Sequence, residues 1–140
     1  MVTLSGAHSI GVSHSSSFLD RLYNFNETHP EDPTMDPRYA SWLKNRCPQT
    51  SSRDPIVSLD SLTPGRLDHQ YYVGLRNKRG LLTSDQTLLT SPLTSKNAWN
   101  NARFGSNWGA KFAAAMVRMG SIEVLTGTKG EIRKICSAVN

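Results

Sequence analysis

One stretch near the start of the chain determines how the rest is interpreted: Val2-Thr3-Leu4-Ser5-Gly6-Ala7-His8-Ser9-Ile10-Gly11. Its apolar residues predict a helix that ends at Gly11, because glycine commonly follows a helix end. His8 lies between Gly6 and Gly11, and small neighbours allow a large flat group to approach the backbone. A lone histidine beside an apolar helix is, however, more often a core residue. These residues alone leave both a ligand-binding histidine and a buried one open.

The composition is that of a globular chain of one domain. The 140 residues are 37% hydrophobic and carry 16 Lys and Arg against 11 Asp and Glu, a net charge of +5. This balance excludes a coiled coil, a collagen-like chain and a fully disordered chain. No apolar run approaches the roughly 20 residues of a membrane-spanning helix, and the chain starts without a signal-peptide pattern. The basic residues are scattered without interleaved aromatic residues, so we expect no nucleic-acid partner.

Hydrophobic spacing and capping residues predict a mainly α fold with long ordered loops. After the first helix we expect helices at residues 16–25, from Asp36-Pro37 to residue 46, from Asp68 to residue 77, from Ser84 to about residue 91, from Ser95 to about residue 104 and from Ser106 to residue 120. Residues 24–35 and 49–66 are rich in turn formers and are expected to be loops. In the helix after Pro37, we expect Tyr39, Trp42 and Leu43 to face inward.

The motifs of common catalytic sites are absent. The four histidines and two cysteines show no zinc-binding spacing, and the chain has no glycine-rich phosphate loop and no G-x-S-x-G elbow. Cys47 and Cys136 are compatible with one disulfide or with two unrelated thiols, and their spacing does not decide between the two.

A series of short motifs carries a resemblance to one known family. After the stretch around His8 they are DRLYN at 20–24, DPT at 32–34, CP at 47–48, LDSLTP at 59–64 with LD at 67–68, YY at 71–72, GLLTSDQ at 80–86, MVRMG at 116–120, and LTG at 125–127 through GEIR at 130–133 to Cys136. In this order they resemble the secretory plant peroxidases of class III. The resemblance implies that residues 1–140 form a partial haem peroxidase domain, the mainly α proximal domain of the plant haem peroxidase fold.

By this resemblance, His8 is the axial ligand of the iron in haem b, and Asp85 is the carboxylate behind it. A carboxylate that accepts a hydrogen bond from the second ring nitrogen raises the basicity of a ligating histidine. In local sequence terms alone, Ser84-Asp85 is an ordinary helix N-cap.

The resemblance also implies a calcium site next to the haem ligand. Its members are Ser9, Asp60, Thr63, Asp68 and Arg66, the last through its backbone carbonyl. Carboxylate, hydroxyl and carbonyl oxygens are the ligands that calcium prefers. Without the family, the same residues are an ordinary Asp/Thr/Pro turn.

The catalytic residues that the family places above the haem are missing from this chain. They form an Arg-x-x-x-His pair, in which the histidine moves the peroxide proton and the arginine stabilises the developing charge. The residues four positions before His14, His29 and His69 are Ile10, Phe25 and Gly65. We therefore assign no catalytic residue, and we expect the chain to be the C-terminal, proximal half of a peroxidase whose N-terminal half is missing.

The cysteines also depart from the family pattern. Ser15 occupies the position of a family cysteine that pairs with the one matching Cys47, and the partner of Cys136 belongs to the missing half. The resemblance therefore implies that Cys47 and Cys136 are both free thiols.

The function that the resemblance implies is oxidation of phenolic donors by hydrogen peroxide, with removal of peroxide under oxidative stress. Without the distal pair, we expect the chain to be inactive or nearly so on its own. The alternatives are a haem-binding or structural remnant, and a truncated gene product without a catalytic role. By family we expect an extracellular or vacuolar location, and the sequon Asn26-Glu27-Thr28 is a candidate N-glycosylation site.

Overall fold

The computed structural model describes residues 1–140 and confirms a mainly α fold. Seven helices follow in order: α1 at Val2–Ser5, α2 at Leu19–Tyr23, α3 at Pro37–Arg46, α4 at Gln70–Arg76, α5 at Thr83–Gln86, α6 at Pro92–Arg103 and α7 at Gly105–Gly120. Short 3₁₀ turns cover Gly6–Ser9, Ser15–Ser17, Thr87–Leu89 and Gly127–Lys129. Two strands, β1 at Val12–His14 and β2 at Ile56–Ser58, form a small sheet. No helix is both long and apolar enough to cross a membrane.

Two helix starts show how capping residues set the boundaries. α3 begins as predicted, because Pro37 is its first residue and the Asp36 carboxylate accepts a hydrogen bond from the Tyr39 N–H at 2.9 Å. α6 begins earlier than the predicted start at Ser95. Ser91 caps this helix, and its hydroxyl accepts a hydrogen bond from the Leu93 N–H at 3.3 Å.

The β1–β2 pair is an element that the sequence did not indicate. The strands are antiparallel, with Val12 opposite Ser58 and His14 opposite Ile56. Gly11 precedes β1 with a φ of +107°, a conformation that favours glycine. The pair joins the segment after His8 to the segment before Asp60. Strands of three residues carry too little alternation to be recognised in sequence.

Two hydrophobic clusters form the interior. The first contains Phe18, Leu22, Met35, Tyr39, Ala40, Leu43, Cys47, Val57 and Leu81. The second contains Tyr71, Tyr72, Leu75, Ala98, Ala102 and Trp108. The inward orientation predicted for Trp42 is wrong, because this side chain is 45% exposed. Its ring stacks on the outer side of the cluster against Tyr39, with centroids 6.0 Å apart.

The C-terminal part of the chain contributes little to the interior. α7 buries only Trp108, and every residue from 121 to 140 is exposed. Large apolar side chains on this surface include Met116, Val117, Met119, Ile122 and Leu125. Burial of the tail therefore contributes little to the stability of the rest.

Candidate functional site

His8 lies on the 3₁₀ turn that continues α1, and close packing fixes this turn. A Cβ at Gly6 would lie 2.5 Å from the Trp108 ring and 2.8 Å from the Tyr72 hydroxyl, so only glycine fits. The Trp108 Nε1–H and the Tyr72 hydroxyl both donate to the Thr3 carbonyl, at 3.3 and 3.1 Å. α1 is thereby held against α4 and α7, which fixes the backbone that carries His8.

The His8 side chain is paired with a buried carboxylate. Its Nδ1 lies 2.8 Å from Asp85 Oδ1, across 77 residues of sequence, and Asp85 is 2% exposed. The Tyr71 hydroxyl donates to the same oxygen at 2.8 Å, whereas Asp85 Oδ2 is buried without a hydrogen-bond partner. Asp85 is not a helix cap, since it lies within α5 and Leu82 occupies the cap position. The structure thus brings together the two residues that the resemblance pairs.

The electrostatics of this pair leave one imidazole nitrogen available. The hydrogen bond to Asp85 raises the pKa of His8, partial burial opposes that rise, and the Asp85 charge adds to it. Burial, and then the Asp85 charge, raises the pKa of Tyr71, so its hydroxyl keeps the proton that it donates. With Nδ1 engaged, Nε2 is the ring nitrogen left for a ligand, and the His8 side chain is 38% exposed.

A buried ion pair positions the segment that carries Asp85. Arg21 Nε donates to Asp32 Oδ2 at 2.8 Å, and both side chains are 3% exposed. Arg21 Nη1 also donates to the carbonyls of Gly80 and Leu81, at 2.6 and 2.7 Å. These contacts anchor α2 to the chain that enters α5. Arg21 and Asp32 belong to the motifs at 20–24 and 32–34, but no sequence pattern predicted this role for them.

The donor set fits one side of a haem. A histidine with one nitrogen held by a buried carboxylate, and the other directed to a partly exposed surface, suits axial ligation of haem iron. The Tyr71 ring lies edge-on to the imidazole, with centroids 6.2 Å apart and an interplanar angle of 89°. This contact, which the sequence analysis also missed, restricts rotation of the His8 ring.

The structure brings together part of the predicted calcium set. The Thr63 hydroxyl lies 3.1 Å from Asp60 Oδ2 and 3.0 Å from Asp68 Oδ1, and it donates to these carboxylates. Asp60 is buried and Asp68 is partly buried. Two carboxylates and one hydroxyl therefore converge on the loop between β2 and α4.

The other two predicted calcium ligands are differently placed. Ser9 is buried, and its hydroxyl donates to the Gly6 carbonyl at 2.7 Å. Arg66 is exposed, with its Nε 3.8 Å from Asp68 Oδ2. The chain has no cluster of three or more His, Cys, Asp or Glu suited to a metal ion. The predicted set contains only two carboxylates, and the calcium site stays a prediction.

The region around the cysteines is held by hydrogen bonds. Cys47 is buried and Cys136 is exposed, and both are free, as the resemblance implies. Burial raises the pKa of the Cys47 thiol. Ser15 is buried and its hydroxyl donates to Asp54 Oδ1 at 2.8 Å, and the Ser16 N–H donates to the same oxygen at 2.9 Å. Asp54 thus ties the end of β1 to the segment before β2.

The predicted glycosylation sequon lies on an exposed turn. Asn26 Oδ1 accepts hydrogen bonds from the N–H groups of Thr28 and His29, at 3.0 and 2.8 Å. Asn26, Glu27 and Thr28 are all exposed. The residue is accessible, and its modification stays a prediction.

Comparison with known proteins connects these features to a family. The peroxidase family model matches residues 1–103. The chain is 51% identical to peroxidase 5 of Vitis vinifera, 46% identical to peroxidase 2 of Zea mays and 42% identical to peroxidase 23 of Arabidopsis thaliana, in each case over its whole length. The alignments cover 43%, 41% and 41% of these relatives, so the chain spans less than half the length of the curated relatives it matches. The chain belongs to the peroxidase family, and within it to the class III plant peroxidases.

Proposed function

We propose that this chain forms the haem-binding part of a plant peroxidase that uses haem b and hydrogen peroxide to oxidise small phenolic donors. The observation that carries the proposal is the 2.8 Å contact between His8 and buried Asp85. Membership of the peroxidase family supports it, and favours a peroxidase over a structural remnant. Because the sequence contains no Arg-x-x-x-His pair, we propose that the chain is inactive or nearly so without the other half.

The residues of this chain act on one side of the cofactor. When bound, haem supplies the iron that reacts with peroxide, and His8 Nε2 would hold that iron. Asp85 accepts the Nδ1–H hydrogen bond, which strengthens electron donation from Nε2. Tyr71 donates to the same carboxylate oxygen, so the charge of Asp85 is shared between two hydrogen bonds. Proton transfer to and from peroxide belongs to groups outside this chain.

A haem titration tests the ligand. We expect one equivalent of haemin to give a spectrum with histidine ligation, and His8→Ala to abolish that spectrum. His29→Ala is the matched control, since His29 lies on an exposed turn. Identical spectra from the wild type and from His8→Ala would show that specific ligation at His8 is wrong.

Complementation tests the proposed activity. The N-terminal half of peroxidase 5 of Vitis vinifera, supplied as a separate chain with haemin, should restore oxidation of a small phenol by peroxide. Neither chain alone should exceed free haemin, and His8→Ala should remove the restored turnover. Turnover well above free haemin from the 140-residue chain alone would contradict the proposal.

The calcium site is a further part of the proposal. Support comes from the convergence of Asp60, Thr63 and Asp68, with Ser9 and the Arg66 carbonyl as the remaining ligands. Thr63 would then direct a lone pair of its hydroxyl oxygen to the cation. Calorimetry should show calcium binding that Asp60→Asn abolishes and that Asp20→Asn leaves unchanged. Equal binding by both variants would exclude this set.

We also propose that the protein is secreted or vacuolar and glycosylated at Asn26. Its class III membership and the exposure of the sequon support this. Expression in a plant secretory pathway, followed by mass spectrometry of the peptide around Asn26, tests the modification. An unmodified peptide would contradict it.

A further inference from the structure

A cavity lies away from His8 and Asp85, between α3 and the β1–β2 pair. Its volume is about 680 Å³, which is within the range of small-molecule sites. Part of the wall is basic and contains Arg38, Arg46 and Arg79. Another part is apolar and contains Val12, Trp42, Ile56 and Pro64. No carboxylate lines the cavity.

Two hydroxyl groups in this wall lack hydrogen-bond partners. Tyr39 is 4% exposed, yet its hydroxyl makes no hydrogen bond, and the same holds for the buried Ser61 hydroxyl. An unpaired buried hydroxyl is costly unless water or a ligand satisfies it. The adjacent Asp60 carboxylate does not do so, since its oxygens accept from the Leu62 N–H and the Thr63 hydroxyl. The Ser61 hydroxyl is close enough to Tyr39 to oppose the rise in the pKa of Tyr39, so the two neighbouring hydroxyls together offer one free O–H donor to a ligand in the cavity.

Two of the three arginines of the cavity lie over aromatic rings. The Arg46 guanidinium lies 5.3 Å from the centre of the Trp42 ring, and that of Arg79 lies 6.0 Å from the Tyr39 ring. None of the three arginines takes part in an ion pair. A guanidinium stacked on a ring keeps its N–H edge free for a carboxylate. The cavity thus combines uncompensated positive charge with a flat apolar surface.

We propose that this cavity binds a small organic carboxylate with a flat apolar body. The arginines and one hydroxyl of the Tyr39–Ser61 pair donate to the carboxylate, and charge-assisted bonds of this kind are the stronger ones. The apolar body lies against Trp42 and Ile56. Benzoate is the simplest probe with this chemistry. The site shares no residue with the His8–Asp85 pair, so its test is independent of haem and of the proposed peroxidase function.

Indole N–H signals of the ¹⁵N-labelled 140-residue chain report on benzoate binding. Trp42 lines the cavity, whereas Trp99 and Trp108 do not, so the Trp42 signal should shift and saturate while the other two stay in place. Benzamide has the same shape without the charge and should bind at least about tenfold more weakly. Inorganic phosphate has charge without the apolar body and should also bind more weakly. An unmoved Trp42 signal, or equal binding of benzoate and benzamide, overturns the proposal.

Charge-removing variants complete the test. Arg38 and Arg46 are exposed, so their replacement by Gln should change stability little. Each replacement should weaken benzoate binding about tenfold, the loss expected for one charged hydrogen bond. Arg118→Gln is the matched control, because Arg118 is exposed on α7, outside the cavity. If Arg118→Gln weakens benzoate binding equally, the loss of affinity comes from the change in net charge, and a specific site is refuted. Phosphate binding as tight as that of benzoate would refute the role of the apolar body.

Discussion

The local sequence at Asp85 predicts a helix cap, whereas in the structure this side chain lies within α5 and is the hydrogen-bond partner of His8. A carboxylate that is 2% exposed is costly unless its neighbours compensate for lost hydration. His8 and Tyr71 provide this compensation at one oxygen only, and the second oxygen has no partner. The local sequence around Ser84 contains none of this information, because the partners lie 77 and 14 residues away.

The protonation of His8 as a function of pH should report the strength of the hydrogen bond between His8 and Asp85. Its folded-state pKa is raised above 6.5, mainly by the hydrogen bond to Asp85. The resulting stabilisation is fully present below the unfolded-state pKa and is lost as pH rises through the folded-state pKa. In the haem-free chain, NMR titration should give a lower His8 pKa for Asp85→Asn than for the wild type. Asp20→Asn, which removes an exposed carboxylate on α2, should leave it unchanged.

One outcome of this titration would contradict the expectation. If His8 titrates alike in the wild type and in Asp85→Asn, the contact does not set its protonation. Thermal unfolding at about pH 5.5 and pH 9 gives a second readout, since only the wild type should lose the stabilisation of this pair at the higher pH.

The two thiols should differ in reactivity. Cys136 is exposed and Cys47 is fully buried with a raised pKa, and the thiolate is the reactive form. A thiol reagent should modify one cysteine rapidly in the native chain and the second only on unfolding. Two reactive thiols are expected in the denatured, unreduced chain, and a count of zero would reveal a disulfide.

Among the elements, those with strong local signals were predicted and those built from distant contacts were not. α3 follows from Asp36-Pro37 and its hydrophobic spacing, and α7 from the long apolar run up to Gly120. The β1–β2 pair joins residues more than 40 positions apart through three residues a side, so no local pattern marks it. α6 starts at Pro92, with Ser91 as its cap, because proline favours the first helical position. This signal outweighs the predicted start at Ser95.

The anchoring of α2 to α5 predicts a large effect at Arg21. Replacing Arg21 by Met leaves Asp32 buried without its ion-pair partner and two carbonyls without a donor. Loss of one partner of a buried pair typically costs about 3–5 kcal/mol, which urea unfolding should detect. Arg53→Met, at an exposed arginine, should change stability by less than about 0.5 kcal/mol. A small effect at Arg21 would mean that the pair does not hold the segment entering α5.

For the whole molecule, the sequence predicted the fold class and the His8–Asp85 pair, but not the network around that pair. Resemblance assigns His8 the role of haem ligand, which stays a prediction. It does not show which side chains support that role, so Tyr71, Arg21 and Asp32 were found only in the structure. Packing of α1 against α7 likewise depends on contact between Gly6 and Trp108. These residues are 102 positions apart in the sequence, so no local sequence pattern indicates their contact.

The exposed tail predicts that a chain ending at Gly120 remains folded. Residues 121–140 are all exposed, so their removal should lower the melting temperature by less than about 4 °C, under about 1 kcal/mol at this size. Trp108→Ala removes the one buried side chain of α7 and should cost about 3–5 kcal/mol. Loss of cooperative unfolding in the shortened chain would show that the tail is required.

The hydrogen bonds of Ser15 and Ser16 to Asp54 have a practical consequence for production. A link made by hydroxyl and amide groups forms at any redox potential and requires no oxidase or isomerase. With both cysteines free, no disulfide within this chain depends on an oxidising compartment, so the reducing bacterial cytoplasm is compatible with its fold. Cytoplasmic expression is therefore a suitable source of material, and redox buffers in refolding serve only to keep Cys136 from cross-linking two chains.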